Sequence, residues 1–382
     1  MEKNAPVGVC HLENYRQEET DRAVERLFEL LELDRLIPKD GQITVKPNLL
    51  MKRRPEETTT THPAVVRAVV RQLKKLGVPA EKITIADSPG GPYNHPALWG
   101  IYAATGMAEI AQEEGVRLND DYGFVEKTCP LPDRCYTFPI IQPIAEADFV
   151  ISVCKLKTHC MTGLSGGVKN LFGTIPGLTK PGYHWRYPEK EDFCRMLVDL
   201  CETVSPGITI CDAVESMEGD GPSSGHRRHT GMLLASRSPY QLDRVLTKVI
   251  GRGEEEILTV AAAKERGLCG EGEPEVIGDP LLTYPDFVRP QTVTTDFMSK
   301  VPGWLRPVCR PIVDRFFTAR PEIDRKRCVG CGKCAESCPA HTIRVVDKKA
   351  QIDRKNCIRC YCCHEMCPIH VISVKQNRLL KL

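Results

Sequence analysis

The sequence predicts an α/β protein: a mostly parallel sheet with helices on both faces, followed by a small C-terminal α+β module. Three observations carry that prediction. Short apolar runs alternate with amphipathic helical runs up to about residue 280. Polar and glycine-rich residues follow directly on several of the apolar runs. Eight cysteines fall at regular spacing within residues 328–367.

Alternating strands and helices form βαβ units, whose sheet is parallel and covered on both faces. VGVCHL (7–12) precedes the helical TDRAVERLFELLEL (20–33), and ITVKPNL (43–49) precedes HPAVVRAVVRQLKKLG (62–77). In the latter, Val65, Val66, Val69, Val70, Leu73 and Leu76 recur at the helical period and form one apolar face. ITIADSP (83–89) precedes a helical stretch to about residue 115, and FVISVCKL (149–156) precedes GGVKNLFG (166–173). DFCRMLVDLCETV (192–204) leads into ITICDAV (208–214), and GMLLAS (231–236) leads into PYQLDRVLTKVIG (239–251).

A chain of 382 residues, 41% hydrophobic and 27% charged, is expected to form two or three soluble domains. Its net charge of +2 gives no electrostatic case for nucleic acid or a membrane surface as partner. No apolar run approaches the roughly 18 residues that span a bilayer. The N-terminal MEKNAPVGVCHLENYRQEET lacks the apolar segment of a signal peptide. A cytoplasmic protein is therefore expected, its nineteen cysteines reduced rather than paired in disulfides.

The C-terminal module carries the most specific pattern. Residues 328–339 read CVGCGKCAESCP and residues 357–368 read CIRCYCCHEMCP. Both follow C-x2-C-x2-C-x3-C-P, the bacterial ferredoxin run. Ile323-Asp324-Arg325-Lys326 recurs as Ile352-Asp353-Arg354-Lys355, so the module is an internal repeat. A cubane cluster needs one thiolate per iron; a tight loop supplies three, and the fourth cysteine reaches across to the other cluster. That places Cys328, Cys331, Cys334 and Cys367 on one [4Fe–4S] cluster, and Cys357, Cys360, Cys363 and Cys338 on a second. Cys362 lies out of register and reads as a spare thiol. Zinc is the competing reading of paired CxxC motifs, but the third cysteine and the Cys-Pro ending argue against it. Residues 321–375 resemble two-cluster bacterial-type ferredoxins, which implies low-potential, one-electron transfer.

In an open α/β sheet, ligands gather at the carboxyl ends of the strands. There the sequence places Lys46 and Asn48, then Asp87, then Lys155, Lys157 and His159, then Asp212. The segment KLKTHCMTGLSGGVKN (155–170) adds Gly166 and Gly167 ahead of a short helix carrying Lys169 and Asn170. Glycines admit close backbone approach, and free N–H groups at a helix start attract anions. The segment is not a phosphate-binding P-loop, because Val168 stands where that motif needs its second glycine and Asn170 follows Lys169. Nor is there a G-x-G-x-x-G to predict a nicotinamide cofactor. The expected guest is a small anionic molecule held by Lys46, Asn48, Lys155, Gly166, Gly167, Lys169 and Asn170. Proton handling falls to Lys157, His159, Asp87 and Asp212. Taken singly, each of these reads equally as a solvated loop residue; the joint pattern carries the expectation. Glu215, Glu218, Asp220, His226 and His229 match no metal template and read as a loop covering the substrate.

The stretches VKPNLL, ADFVISVCKLKTH, TGLSGGVKNLFG and MEGDGP with Gly225 resemble domain-of-unknown-function family 362, whose members are often fused to ferredoxin modules. The resemblance covers roughly residues 5–280 and implies a redox role without naming a substrate. The expected layout is an α/β substrate-binding domain over 1–283, a packed connector over 284–320 and a ferredoxin-type domain over 321–382. Two functions follow. One is a reductase that passes electrons from the clusters to the anion in the α/β cleft, reloaded by an external donor such as a ferredoxin or redox enzyme. The other is a non-catalytic electron-transfer or cofactor-assembly protein that recognises its partner through the α/β domain.

Overall fold

A computed structural model describes residues 2–292, 303–305 and 319–375. Its main sheet contains β1 (Val7–His11), β2 (Ile43–Pro47), β3 (Ile83–Ile85) and β4 (Arg117–Leu118). A separate hairpin of β5 (Phe124–Thr128) and β6 (Thr137–Ile141) follows. The main sheet then continues with β7 (Phe149–His159), β8 (Gly163–Ser165), β9 (Ile208–Glu218), β10 (His226–Ser236) and β11 (Val276–Gly278). The order is β11-β1-β10-β9-β7-β2-β3-β4, with β8 paired to the end of β7. Pairing is parallel from β9 through β7, β2 and β3 to β4, and again between β1 and β11. Only β10 and β8 run antiparallel to their neighbours in this sheet. The sheet is therefore mostly parallel, as expected.

Helices cover both faces. On one face lie α1 (Gln17–Leu30), α2 (Pro63–Lys75), α3 (His95–Ala104) and α4 (Met107–Glu114). Val24, Leu27 and Phe28 of α1 and Val65, Val66, Val69, Val70 and Leu73 of α2 pack with Val45, Ile85, Ile151 and Ile210. Each such burial is worth roughly 1.5–3 kcal/mol relative to exposure. Helix α2 starts cleanly, because Pro63 needs no N–H at the first helical position and His62 Nδ1 accepts from Ala64 N–H. Beyond the short α5 (Gln142–Ala145), the elements α6 (Gly167–Asn170), α7 (Lys180–Arg186), α8 (Lys190–Val204), α9 (Pro239–Val249) and α10 (Leu258–Glu265) build the other side. Phe193, Met196, Leu197 and Leu200 of α8 and Leu242, Val245 and Leu246 of α9 bury against it.

Two segments differ from the sequence reading. Strand β7 runs on to His159, and its end pairs with β8 at Lys157↔Ser165 and His159↔Gly163. Lys155, Lys157 and His159 are therefore strand residues, buried and held by a ladder rather than by a loop. Likewise β9 continues to Glu218 and β10 begins at His226, so the expected covering loop is a long antiparallel hairpin. Within the hairpin Arg227 and His229 hold Glu215, and from outside it Val288 N–H donates to Glu218 and Gln291 N–H donates to Asp220.

The C-terminal module pairs β12 (Arg320–Ile323) with β15 (Ile372–Lys375) and β13 (Ile343–Val346) with β14 (Lys349–Ile352). Its two short helices, Lys333–Glu336 and Cys362–Glu365, follow the repeat. The turn between β9 and β10 grips the second helix. Ser223 Oγ donates to the Glu365 carbonyl at 2.8 Å, His364 Nε2 lies 3.1 Å from the Asp220 carbonyl, and Ser224 Oγ meets His370 Nδ1 at 2.8 Å. Of the connector, Phe287 is buried against the α9 side and Trp304 is exposed. Residues 293–302 and 306–318, with Phe316 and Phe317, lie outside the described residues.

Candidate functional site

Two small cavities in the C-terminal module are each lined by four cysteines. Cys328, Cys331, Cys334 and Cys367 line one, and Cys338, Cys357, Cys360 and Cys363 line the other. Backbone amides point at the sulfurs: Thr342 N–H at Cys338, Val371 N–H at Cys367 and Ala350 N–H at Cys328, each at 3.4 Å. The first two are equivalent positions of the repeat. Amide donors stabilise a thiolate over a thiol, as iron–sulfur ligation requires. The donor set therefore fits a cubane cluster on chemistry as well as on spacing. Cys362 lines neither small cavity.

A third, much larger cavity of about 410 Å3 lies between the two modules. The ends of β2, β3 and β7, with α6 and α7, supply Lys46, Asp87, Lys157, His159, Lys169 and Lys180. The C-terminal module supplies Cys362, Glu365 and Met366 from its second helix and the residue after it. Leu50, Ile101, Phe172 and Leu178 add apolar wall.

Its cations are not equivalent. Lys46 is ion-paired with Asp87 at 2.7 Å, both buried, and the second Asp87 oxygen accepts from Leu49 N–H. Gly173 abuts this pair: a Cβ there would stand 2.2 Å from Asp87 Oδ1 and 2.7 Å from Lys46 Nζ. Lys157 Nζ donates to Asn48 Oδ1 at 2.8 Å and the Thr59 carbonyl at 2.7 Å. Lys180 Nζ reaches the carbonyls of Ser88 and Ile175. Neither meets a carboxylate among the described residues. Burial pushes both ammonium groups down to about 7; Lys169 and Lys155 push Lys157 further, while Asp87 pulls Lys180 back. Lys169 Nζ sits 4.6 Å above the Phe172 ring, and burial lowers its pKa too, against the pull of Glu365.

Four residues that line this cavity carry a buried polar atom with no hydrogen-bond partner among the described residues: Arg53 Nη2, His159 Nε2, His184 Nδ1 and Glu365 Oε1. Met161 N–H donates to His159 Nδ1 at 3.0 Å, so the neutral ring carries its proton on Nε2. Burial, then Lys169 and Lys157, hold His159 well below its usual range and keep it neutral. Its Nε2 stands 3.5 Å from Glu365 Oε1 of the other module. Burial raises Glu365 and outweighs the pull of Lys169. Unpartnered buried polar groups are costly, and native proteins keep them mainly where something else binds.

A family model described as a domain of unknown function, DUF362, matches residues 43–248. The chain belongs to this family. A second model, described as a 4Fe-4S dicluster domain, matches residues 320–368, so this DUF362 protein carries a ferredoxin-type iron–sulfur domain and an electron-transfer role. The thylakoid-associated protein sll1697 of Synechocystis sp. is 31% identical over 228 residues, 59% of this chain and 68% of its own length. The lactate racemase apoprotein of Thermoanaerobacterium thermosaccharolyticum aligns with a TM-score of 0.40 and 14% identity, over 61% of this chain and 54% of that one. A Thermotoga maritima protein aligns with a TM-score of 0.36 and 14% identity, over 55% and 52%. The chain thus spans about half the length of these two solved proteins. Among the described residues no helix is long and apolar enough to cross a membrane.

Within the DUF362 cavity the structure brings together Lys46, Asn48, Asp87, Lys157, His159, Lys169 and Asn170. Lys155 and Asp212 do not line it. They pair with each other at 2.9 Å, and Tyr15 OH donates to Asp212 at 2.8 Å while accepting from Lys155. Their strand-end pattern looked the same, but an acid and a base facing across β7 and β9 neutralise one another. Gly166 and Gly167 are also off the cavity, and the expected anion at their helix start is the protein's own. Asp243 of α9 accepts from Gly167 N–H at 2.6 Å and Val168 N–H at 3.1 Å. A Cβ on Gly166 would stand 2.1 Å from Asp243 Oδ1, so the glycine is there for Asp243. Sequence reasoning missed Lys180, His184 and Glu365. The first two follow a 3-10 turn on α7 rather than a strand, and Glu365 comes from the other module.

Proposed function

We propose that this DUF362 protein is an iron–sulfur reductase whose two [4Fe–4S] clusters feed a small anionic organic substrate in the cavity between the modules. One observation carries this reading: Cys362 and Glu365, beside the cluster cysteine Cys363, share a cavity with Lys157, Lys169 and Lys180. Cys328, Cys331, Cys334 and Cys367 would hold one cluster, and Cys338, Cys357, Cys360 and Cys363 the other. When bound, each cluster supplies one electron at a time, so the pair matches a two-electron reduction of a closed-shell organic acceptor. Two protons complete that balance. Lys157, with an ammonium near 7, is poised to give one up at neutral pH. Water or Lys180 supplies the second. His159 Nε2–H, fixed by the Met161 amide, donates a hydrogen bond to the substrate. Asp87 orders the site by holding Lys46 and the Leu49 amide, and is not free to carry protons.

In this reading residues 1–283 hold the substrate, 284–320 connect and 321–382 carry the clusters. An external donor such as a ferredoxin or redox enzyme reloads them, and the exposed Cys331 and Val329 give it a face to approach. A cytoplasmic location belongs to the same reading; association with thylakoids, as the name of the Synechocystis relative records for that protein, would leave the chemistry unchanged. The test is anaerobic reoxidation of dithionite-reduced, desalted protein by unsaturated carboxylates. Saturable reoxidation that Lys169→Ala and Lys157→Met slow at least tenfold is expected. If both variants reoxidise at the wild-type rate, the cavity is not the electron exit, and a carrier or assembly role takes its place.

A further inference from the structure

The cavity also defines what kind of anion fits it, an inference that rests on the reading of this site as the substrate pocket. Its interior charge does not balance. Lys46 and Asp87 cancel as a pair. At the rim, Arg53 pairs with Glu57 and Lys333 with Glu336, while Lys52 is exposed and its charge is screened by solvent. That leaves Lys157, Lys169 and Lys180 facing at most one carboxylate, Glu365. Two positive charges are uncompensated when the lysines are protonated. Burial first, and neighbouring lysines second, push Lys157 and Lys180 down to about 7, so a bound anion would stabilise their charged forms.

Charge is only half of the lining. A cavity of about 410 Å3 is far larger than an inorganic oxyanion needs, and falls in the range that takes an organic ligand of drug size. Much of its wall is apolar: Leu50, Met51, Ile101, Phe172 and Leu178. A small hydrophilic dianion would leave that wall facing trapped water. A monoanion would leave a lysine without a counter-charge.

We propose that the cavity takes an amphipathic organic dianion, its two charges on Lys157, Lys169 and Lys180 and its apolar body against Leu50, Met51, Ile101, Phe172 and Leu178. His159 Nε2–H and His184 Nδ1, both buried and without a hydrogen-bond partner among the described residues, line the same space and fix the orientation of its polar atoms.

Isothermal titration calorimetry on the oxidised, iron-loaded full chain tests this with three probes. Naphthalene-2,6-dicarboxylate has two charges and an apolar body, 2-naphthoate has the body with one charge, and succinate has two charges without the body. The dicarboxylate is expected to bind one per chain at least tenfold more tightly than either of the others. Lys169→Ala and Leu178→Asp are each expected to remove that advantage. The Lys169 side chain makes no hydrogen bond among the described residues and Leu178 is exposed, so neither change strands a buried partner there. Equal affinity for succinate, equal affinity for 2-naphthoate, or no binding of any probe overturns the proposal. Because the titration needs no electron transfer, it separates the two readings. The expected affinity order without turnover leaves the ligand class standing and sinks the reductase. Turnover without that order does the reverse.

Discussion

Lys157 lies fully buried against two neutral acceptors, Asn48 Oδ1 and the Thr59 carbonyl, with its ammonium pushed down to about 7. An unfolded lysine titrates near 10.4. Between about pH 7 and that value the unfolded chain binds more protons, so the contribution of Lys157 to stability rises with pH across this window and is most unfavourable below it. Urea midpoints at pH 6 and pH 9 should therefore move upward more for the wild type than for Lys157→Met. A bound dianion acts in the opposite direction, raising the lysine pKa, so the complex holds more protons than the free protein. Affinity for naphthalene-2,6-dicarboxylate should be flat below about pH 7 and fall above it, by up to about tenfold per pH unit for each lysine involved. Calorimetry in two buffers of different ionisation enthalpy would read the proton uptake directly; uptake of none contradicts the role given to Lys157 and Lys180. At this scale Lys46, Asn48 and Lys157 were legible because polar side chains after apolar runs mark strand ends, and Lys169 and Asn170 because they follow the glycines on a short helix. Lys155 and Asp212 carried the same mark and form a closed pair, since a sequence does not show which acid meets which base.

The segment 155–170 shows what an element's pattern can and cannot tell. Its glycines announced a close approach to something negative, and the position-by-position failure against the P-loop excluded a nucleotide of that kind. The negative group is Asp243, which staples the start of α6 to its neighbour α9 on the same side of the sheet. Burial pushes its carboxyl up to about 7 against the pull of the two amides. Asp243→Asn replaces one acceptor with a donor facing a backbone N–H, and should lower stability by about 1–3 kcal/mol. Gly166→Ala should destabilise too, because the new Cβ falls 2.1 Å from Asp243 Oδ1. Urea denaturation checks both, and wild-type midpoints would show that α6 is held by something else. The βαβ alternation was readable from apolar periodicity. The antiparallel β10 was not, because polar residues such as Arg227, Arg228 and His229 continue the strand beyond its apolar core.

The whole molecule is two modules closed over one cavity. In the C-terminal module the grouping of cysteines was legible, because the duplicated spacing separates the same two sets of four that line the two small cavities. The docking was not: Ser223 and Asp220 grip the helix Cys362–Glu365, and Ser224 grips His370 beyond it, through contacts that span over 140 residues of chain. Iron content tests the division of labour among the thiols. The purified anaerobic protein should hold about eight irons per chain. Cys362→Ser should keep them, since Cys362 faces the large cavity, while Cys363→Ser should lose about half. The central claim, that electrons leave through this cavity, is tested most directly by stopped-flow reoxidation of the reduced protein with 4-carboxycinnamate, an aromatic dianion with a reducible double bond. The account predicts a rate that saturates with acceptor, one saturated product for each two electrons lost, and at least tenfold slower reaction in Lys169→Ala. A rate that rises linearly with acceptor and is unchanged in Lys169→Ala would mean direct transfer at the module surface, and would contradict it.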